Sequence, residues 1–145
     1  MNISLGSDHG GFGLKETIKA HLETLGHSVK DCGTYSLDSC DYPVFGKAAA
    51  EAVADGSCER AIVVCTTGIG ISITANKVKG VRCALCATEA QAEMTRRHNN
   101  ANALALGAAV TGEMVALRIV DLFLATEFEG GRHARRVDLM TAMEG

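Results

Sequence analysis

The run Arg60-Ala-Ile-Val-Val-Cys65, followed by Thr-Thr-Gly-Ile-Gly70, limits the folds open to this chain more than any other stretch. Ala61 to Val64 is continuously apolar and rich in β-branched residues, without the polar alternation of a half-exposed strand. That is the pattern of a strand buried on both faces, which belongs to a parallel sheet covered by helices. Cys65 then stands at the strand's carboxyl end, the edge at which loops and helix N-termini of an open α/β sheet meet ligands. Thr66 to Ser72 reads as a loop on that edge. Gly68 and Gly70 remove the Cβ atoms that keep a ligand off the backbone, so successive N–H groups can converge on an anionic oxygen beside the thiol.

Three common anion motifs do not fit this loop. A Walker A loop needs Gly-Lys-Ser/Thr after its spacer, and no lysine follows Gly70 until Lys77. A dinucleotide fingerprint wants a third glycine where Ile73 stands, and a cysteine phosphatase wants arginine where Ile71 stands.

The remaining segments alternate in type. Asn2 to Leu5 reads as a first strand; Leu14, Ile18, Leu22 and Leu25 recur at helical spacing, with Gly26 as the C-terminal cap. His27 to Asp31 forms strand two, and a helix runs from about Val44 to Asp55 after Pro43. Arg82 to Cys86 gives strand four, and Thr88-Glu-Ala-Gln91 has capping-box spacing before a helix ending near His98. Ala103 to Leu106 is strand five; helices follow over Gly112 to Ala125 and about Ala134 to Met143. The β-α alternation predicts an α/β fold, a five-stranded parallel sheet with helices on both faces, and residues 1–145 as one domain.

Composition narrows the function classes. Aromatics are 4% with no Trp, while Ala and Gly abound, which suits close helix-on-sheet packing. A net charge of −3 argues against a general nucleic-acid or anionic-membrane surface. No apolar run approaches the roughly 18 residues of a membrane span and no signal-like segment follows Met1, so the expected location is cytoplasmic and the six cysteines are expected reduced. Cys83 and Cys86 make a C-x-x-C, but on a strand positions three apart face opposite ways, against a redox or zinc role. His21 and His27 have no polar neighbours in sequence and read as surface residues.

Three clusters admit chemistry beside a plainer reading. In Ser7-Asp8-His9-Gly10-Gly11, Asp8 reads equally as a helix cap and, with His9, as a contact for a polyhydroxylated anion. Arg96 to Asn102 reads chiefly as a polar helix terminus with cations at its negative end. Arg132 and Arg136, four apart on a helix, can grip a phosphate together; basic residues oppose the dipole of a helix's first turn, which favours that reading.

Taken together, Ser7-Asp-His-Gly-Gly-Phe12, Gly33-Thr-Tyr35, Asp41-Tyr-Pro43, the Cys65 loop through Ala75-Asn-Lys77, His98-Asn99 with Ala101-Asn102, and Phe128-Glu-Gly-Gly-Arg-His133 with Arg136 resemble the ribose-5-phosphate isomerase B family, which includes the galactose-6-phosphate isomerase subunits. The likeness runs from the first strand to the last helix. It implies a Rossmann-like three-layer αβα fold and a cofactor-free, metal-independent aldose–ketose isomerase. The partners implied are a sugar phosphate and a second copy of the chain, in a homodimer or a tetramer built from it, with the active site at the interface. By resemblance Cys65 is the base that moves a proton between C1 and C2 through a cis-enediolate. Thr66, Thr67, Gly68, Ile69 and Gly70 hold the enediolate, His98 assists ring opening with Asn99 beside it, Asp8 and His9 contact the sugar, and Arg132 and Arg136 bind phosphate.

Two positions depart from the family pattern. Thr66 stands where Gly is usual, and Ala109 stands where members acting on ribose 5-phosphate usually carry a phosphate-binding arginine. Ribose 5-phosphate is the first expectation, with a hexose 6-phosphate or an unphosphorylated aldose behind it. From other classes, a non-catalytic sugar-phosphate-binding subunit is opposed by the retained Cys65, and a cysteine hydrolase lacks a partner residue at a recognisable spacing.

Overall fold

The computed structural model describes residues 1–145. Strands β1 (Asn2–Ser7), β2 (Ser28–Asp31), β3 (Arg60–Cys65), β4 (Cys83–Leu85) and β5 (Ala103–Gly107) alternate with helices α1 (Phe12–Thr24), α2 (Tyr42–Ala54), α3 (Ile69–Asn76) and α4 (Glu89–Met94). A π-helical turn over Thr95–Asn99 continues α4, and α5 (Glu113–Ala125) and α6 (Arg132–Ala142) close the chain. The strands form one sheet in the order β2-β1-β3-β5-β4, and every pairing is parallel. The fold is α/β, as the alternation of elements predicts, and Rossmann-like, as the family resemblance implies.

The period of two along β3 and β5 sorts their side chains between two layers. Ile62, Val64, Leu104 and Leu106 pack with Ile18 and Leu22 of α1, Ala92 of α4 and Ile119, Val120 and Phe123 of α5. Ala61, Val63, Cys65, Ala103 and Ala105 face the other way, against Ala49 and Ala50 of α2 and Ile71 and Ala75 of α3. Alanine on both sides of that second layer lets α2 and α3 lie close to the sheet. The Ser4 hydroxyl donates to the Ala49 carbonyl at 2.8 Å and ties α2 to β1. Cys83 and Cys86 fall in different layers, as strand geometry requires. Burial pushes the Cys83 thiol up to about 12, helped by Cys86, and the Cys86 thiol up to about 11, so neither behaves as a ready thiolate.

Several expectations need correction. Thr66 to Ser72 is a loop only as far as Gly68, because α3 starts at Ile69. The buried stripe of α1 is Lys15, Ile18 and Leu22, whereas Leu25 is 54% exposed. His21 and His27 do have polar partners: His21 Nε2 lies 2.7 Å from Asp121 Oδ1 of α5, and His27 Nδ1 lies 3.2 Å from the chain's amino group. Gly26 ends α1 as expected, its N–H bonding the Glu23 carbonyl while the His27 N–H bonds that of Leu22. Edge strand β4 is shorter than predicted. The Asn76 side chain there accepts from the Cys83 N–H at 2.8 Å and donates to the Cys83 carbonyl at 2.9 Å, taking the place of a further strand.

Lys15 is fully buried, with Nζ 2.6 Å from Asp31 Oδ1 and the Phe12 and Tyr35 rings each 5.4 Å away. Burial alone would raise the Asp31 carboxyl, but Lys15, the Gly33 N–H and Lys19 together hold it below its ordinary range. We expect Lys15→Met to cost about 3 kcal/mol, because it leaves a carboxylate that is only slightly exposed short of its closest partner. A carboxyl depressed in the folded chain contributes stability above its unfolded value and loses it as the pH falls through the folded one. The difference in melting temperature between wild type and Lys15→Met should therefore shrink below the usual carboxylate range. A difference constant with pH would assign the loss to packing.

Candidate active site

Ser7, Cys65 and Gly107 end the three central strands side by side. Cys65 is 5% exposed, and its Sγ accepts a hydrogen bond from the Gly68 N–H at 3.1 Å, so the loop wraps the sulfur. That wrapping requires Gly68 to take φ +79°, and a Cβ there would stand 2.8 Å from the Leu106 carbonyl carbon and 2.9 Å from the Gly107 nitrogen. Only glycine satisfies both demands. Thr67 Oγ1 accepts the Ile69 N–H at 3.3 Å, while the next N–H groups of the first turn of α3 have no acceptor within the helix.

Above the sulfur lies a cavity of about 490 Å³ lined by Asp8, Tyr42, Cys65, Thr66, Thr67, Ile69, Gly70 and Ile73, a size suited to a small ligand. The Asp8 carboxylate lines the cavity, and its Oδ1 accepts the Gly11 N–H at 3.0 Å just before α1. A Cβ on Gly10 would collide with Thr66 Oγ1, so the two loops touch. Beside them, His9 Nδ1 accepts the Cys40 N–H at 3.2 Å, which leaves the ring proton on Nε2. Tyr42 and Ile73 line the cavity without having been expected as site residues, although Tyr42 belongs to the Asp41-Tyr-Pro43 motif. Tyr42 sits in the first turn of α2 with Pro43, and its ring lies over Gly70, where a Cβ would stand 2.5 Å from the ring.

The other expected site residues lie elsewhere. The Thr88 hydroxyl accepts the Gln91 N–H at 3.1 Å and the Gln91 side chain accepts the Ala87 N–H at 2.7 Å, so α4 starts as its capping spacing predicts. It runs back toward the start of β5 and ends in the π turn, where the Asn100 N–H bonds the Thr95 carbonyl. Arg96 is 4% exposed and donates to the Thr126 and Ala101 carbonyls and to Asn100 Oδ1; burial, with Arg60 and Arg82 nearby, brings it down to about 10. Arg97 pairs with Glu93 and Glu129. For these two arginines the plain structural reading holds.

His98 projects from this turn at 40% side-chain exposure and stacks on His133 of α6, with ring centroids 4.2 Å apart and planes 11° from parallel. Burial, then the charges of His98 and Arg132, pull the His133 imidazole below its ordinary range. Asn99 is exposed beside His98, and Arg132 and Arg136 are exposed on α6.

The register shows how far the two groups are separated. Ala61 pairs with Ala103 and Cys65 with Gly107, so Cys65 is four residues, about 13 Å, along the sheet from the amino end of β5. Arg82, just before β4, donates to the Asn99 and Asn100 carbonyls, which fixes the π turn at that amino end. One chain therefore brings Asp8, His9 and the Cys65 loop together at one end of the sheet, and His98, Asn99, Arg132 and Arg136 together at the other.

A family model described as Ribose/Galactose Isomerase matches residues 3–140. The chain belongs to this family. Ribose-5-phosphate isomerase B of Escherichia coli strain K12 is 46% identical over 142 residues, covering 98% of this chain and 95% of that protein. The structure of Clostridium thermocellum ribose-5-phosphate isomerase B matches with a TM-score of 0.98 at 53% identity, covering 99% of this chain and 97% of that one. Ribose-5-phosphate isomerase B from Mycoplasma genitalium with bound ribulose-5-phosphate matches with a TM-score of 0.96 at 42% identity, covering 99% and 95%. In this ribose/galactose isomerase the Ala109 N–H bonds the Thr66 carbonyl at 2.9 Å. Position 109 is thus exposed beside the thiol loop, at the opposite end from Arg132 and Arg136. No helix is long and apolar enough to cross a membrane.

Proposed function

We propose that this isomerase interconverts ribose 5-phosphate and ribulose 5-phosphate, with Cys65 as the base. The observation that carries the assignment of the base is the thiol lining a cavity of about 490 Å³ and bonded by the Gly68 N–H, in a chain of this family. In the open-chain aldose, the Cys65 thiolate takes the proton from C2 and the C–H electrons form the C1–C2 double bond as charge moves onto O1. N–H groups of the loop and the first turn of α3 face the developing oxyanion, where fixed dipoles are most effective. The thiol returns its proton to C1, O2 becomes the carbonyl oxygen, and the hydroxyl proton passes from O2 to O1. Thr66 and Thr67 hydroxyls and the Asp8 carboxylate hold the sugar hydroxyls, with His9 at the margin of the cavity.

Ring opening and phosphate binding fall to His98, Asn99, Arg132 and Arg136, which reach the thiol only from a second copy of the chain. A homodimer is supported by the rim of the cavity. Ile69 and Ile73, which line it beside Tyr42, are 54% and 55% exposed. Such an apolar rim around a polar cavity suits burial against another protein surface.

A coupled assay comparing ribose 5-phosphate with free ribose tests the assignment. We expect the phosphate to be turned over with the higher kcat/KM, since two charge-assisted contacts each contribute about 1.5–3 kcal/mol. Ala109→Arg adds a cation on the thiol's side of the site and should lower KM for the phosphate while leaving free ribose unchanged. Equal or better kcat/KM for free aldoses would sink the phosphate assignment.

A further inference from the structure

His98, Glu129 and His133 form a cluster that this mechanism uses only through His98. Their donor atoms all lie within 4.8 Å of one another, with Glu129 Oε1 3.6 Å from His133 Nε2 and 4.0 Å from His98 Nε2. The other Glu129 oxygen is engaged by Arg97 NH1 at 3.4 Å, which turns Oε1 toward the two rings. Glu129 is itself fixed by its N–H bond to the Arg97 carbonyl and by its position one turn before His133.

We propose that His98, Glu129 and His133 are an inhibitory site for a divalent transition metal such as zinc, which occupies His98 and so withholds it from the sugar ring. Two imidazoles and one carboxylate are the donor set of open, three-ligand zinc sites, with the fourth position left to water. A tetrahedral ion with bonds of about 2.1 Å holds its donors about 3.4 Å apart, so the carboxylate and His133 are already spaced for it. His98 has to close on the carboxylate by about half an ångström and tilt out of the stack toward the donor of His133, because parallel rings direct their lone pairs side by side rather than at one point. Its exposure allows that swing, whereas His133 is 7% exposed and serves as the fixed ligand. Arg97 stands behind the carboxylate as the group that orients it.

The inhibitory half rests on the role given to His98 above; the binding half does not. Cobalt(II), added to the full-length metal-free chain without sugar, should give d–d absorption of a four- or five-coordinate ion at one equivalent per chain, displaced by zinc(II). His133→Asn and Glu129→Gln should each weaken binding by about a hundredfold, and Arg97→Gln by about tenfold as loss of an orienting partner. Cys65→Ser should leave the affinity within about threefold, since no sulfur is a ligand. Absent absorption, wild-type affinity in both ligand variants, or thiolate-to-cobalt charge transfer lost in Cys65→Ser would overturn the site, whatever the enzyme's activity. Zinc should then inhibit turnover of ribose 5-phosphate in step with occupancy, and Glu129→Gln should need about a hundredfold more zinc for the same inhibition. Occupancy without inhibition would overturn the inhibitory role while leaving isomerase activity itself in place.

Discussion

Cys65→Ser should lower kcat by on the order of a thousandfold while leaving substrate affinity within about tenfold, because a misplaced or weak base removes a proton-transfer contribution of about 10²–10⁴. Serine keeps the size and the Gly68 N–H contact, so the fold has no reason to change. What is lost is an acid whose anion is accessible in water; a hydroxyl in the same place is far harder to ionise. Iodoacetamide should inactivate the wild type, with ribose 5-phosphate protecting. Cys83 and Cys86, whose thiols burial raises to about 12 and about 11, should not be the sites of that inactivation. Turnover retained in Cys65→Ser would move the base to another group, Asp8 being the nearest carboxylate in the cavity.

The second large effect is a rescue. Chains carrying Cys65→Ser and chains carrying His98→Ala should each be nearly inactive alone on the cyclic sugar. Mixed by unfolding and refolding together, they should regain about a quarter of the wild-type activity, since in a two-fold dimer half the molecules are hybrids and each hybrid holds one intact site. If Cys65 and His98 served the same site from one chain, every site would carry a defect and mixing would recover nothing. Sedimentation of the mixture, checked against the wild type, separates failed rescue from failed assembly.

Much of this was legible from residue order. The apolar run of β3 and the glycines after Cys65 placed the thiol at the ligand-bearing edge, because a doubly buried strand has little alternative to a parallel sheet. The split into two ends was not legible, because it rests on the register of β3 against β5 and on Arg82 holding the π turn before β5. Nor was the start of α3. Its first turn contains Gly70, and the turn that launches it depends on Gly68 in the left-handed region, which sequence reads as a loop. Lys15 was hidden for another reason. A lysine on the Ile18–Leu22 stripe looks like an interruption until Asp31, on a neighbouring strand, is known to stand beneath it. The partners of His21 and His27, Asp121 and the terminal amine, are products of tertiary folding that no local pattern announces.

The π turn over Thr95–Asn99 carries one more residue than an α-helical path would need, and it does so between a buried anchor and an exposed imidazole. Arg96 is held by the Thr126 and Ala101 carbonyls and so cannot shift along the segment. Deleting a single residue after it would let the backbone relax to an ordinary helix, but would move His98 and Asn99 one place back along it, a turn of up to about 100° about the axis. His98 and Asn99 would then face a different direction while β5 still began at Ala103. For this protein the number of residues in that turn is a functional quantity in its own right. Substitutions on the segment's exposed side are tolerable variation, whereas a one-codon insertion or deletion there acts as an active-site mutation.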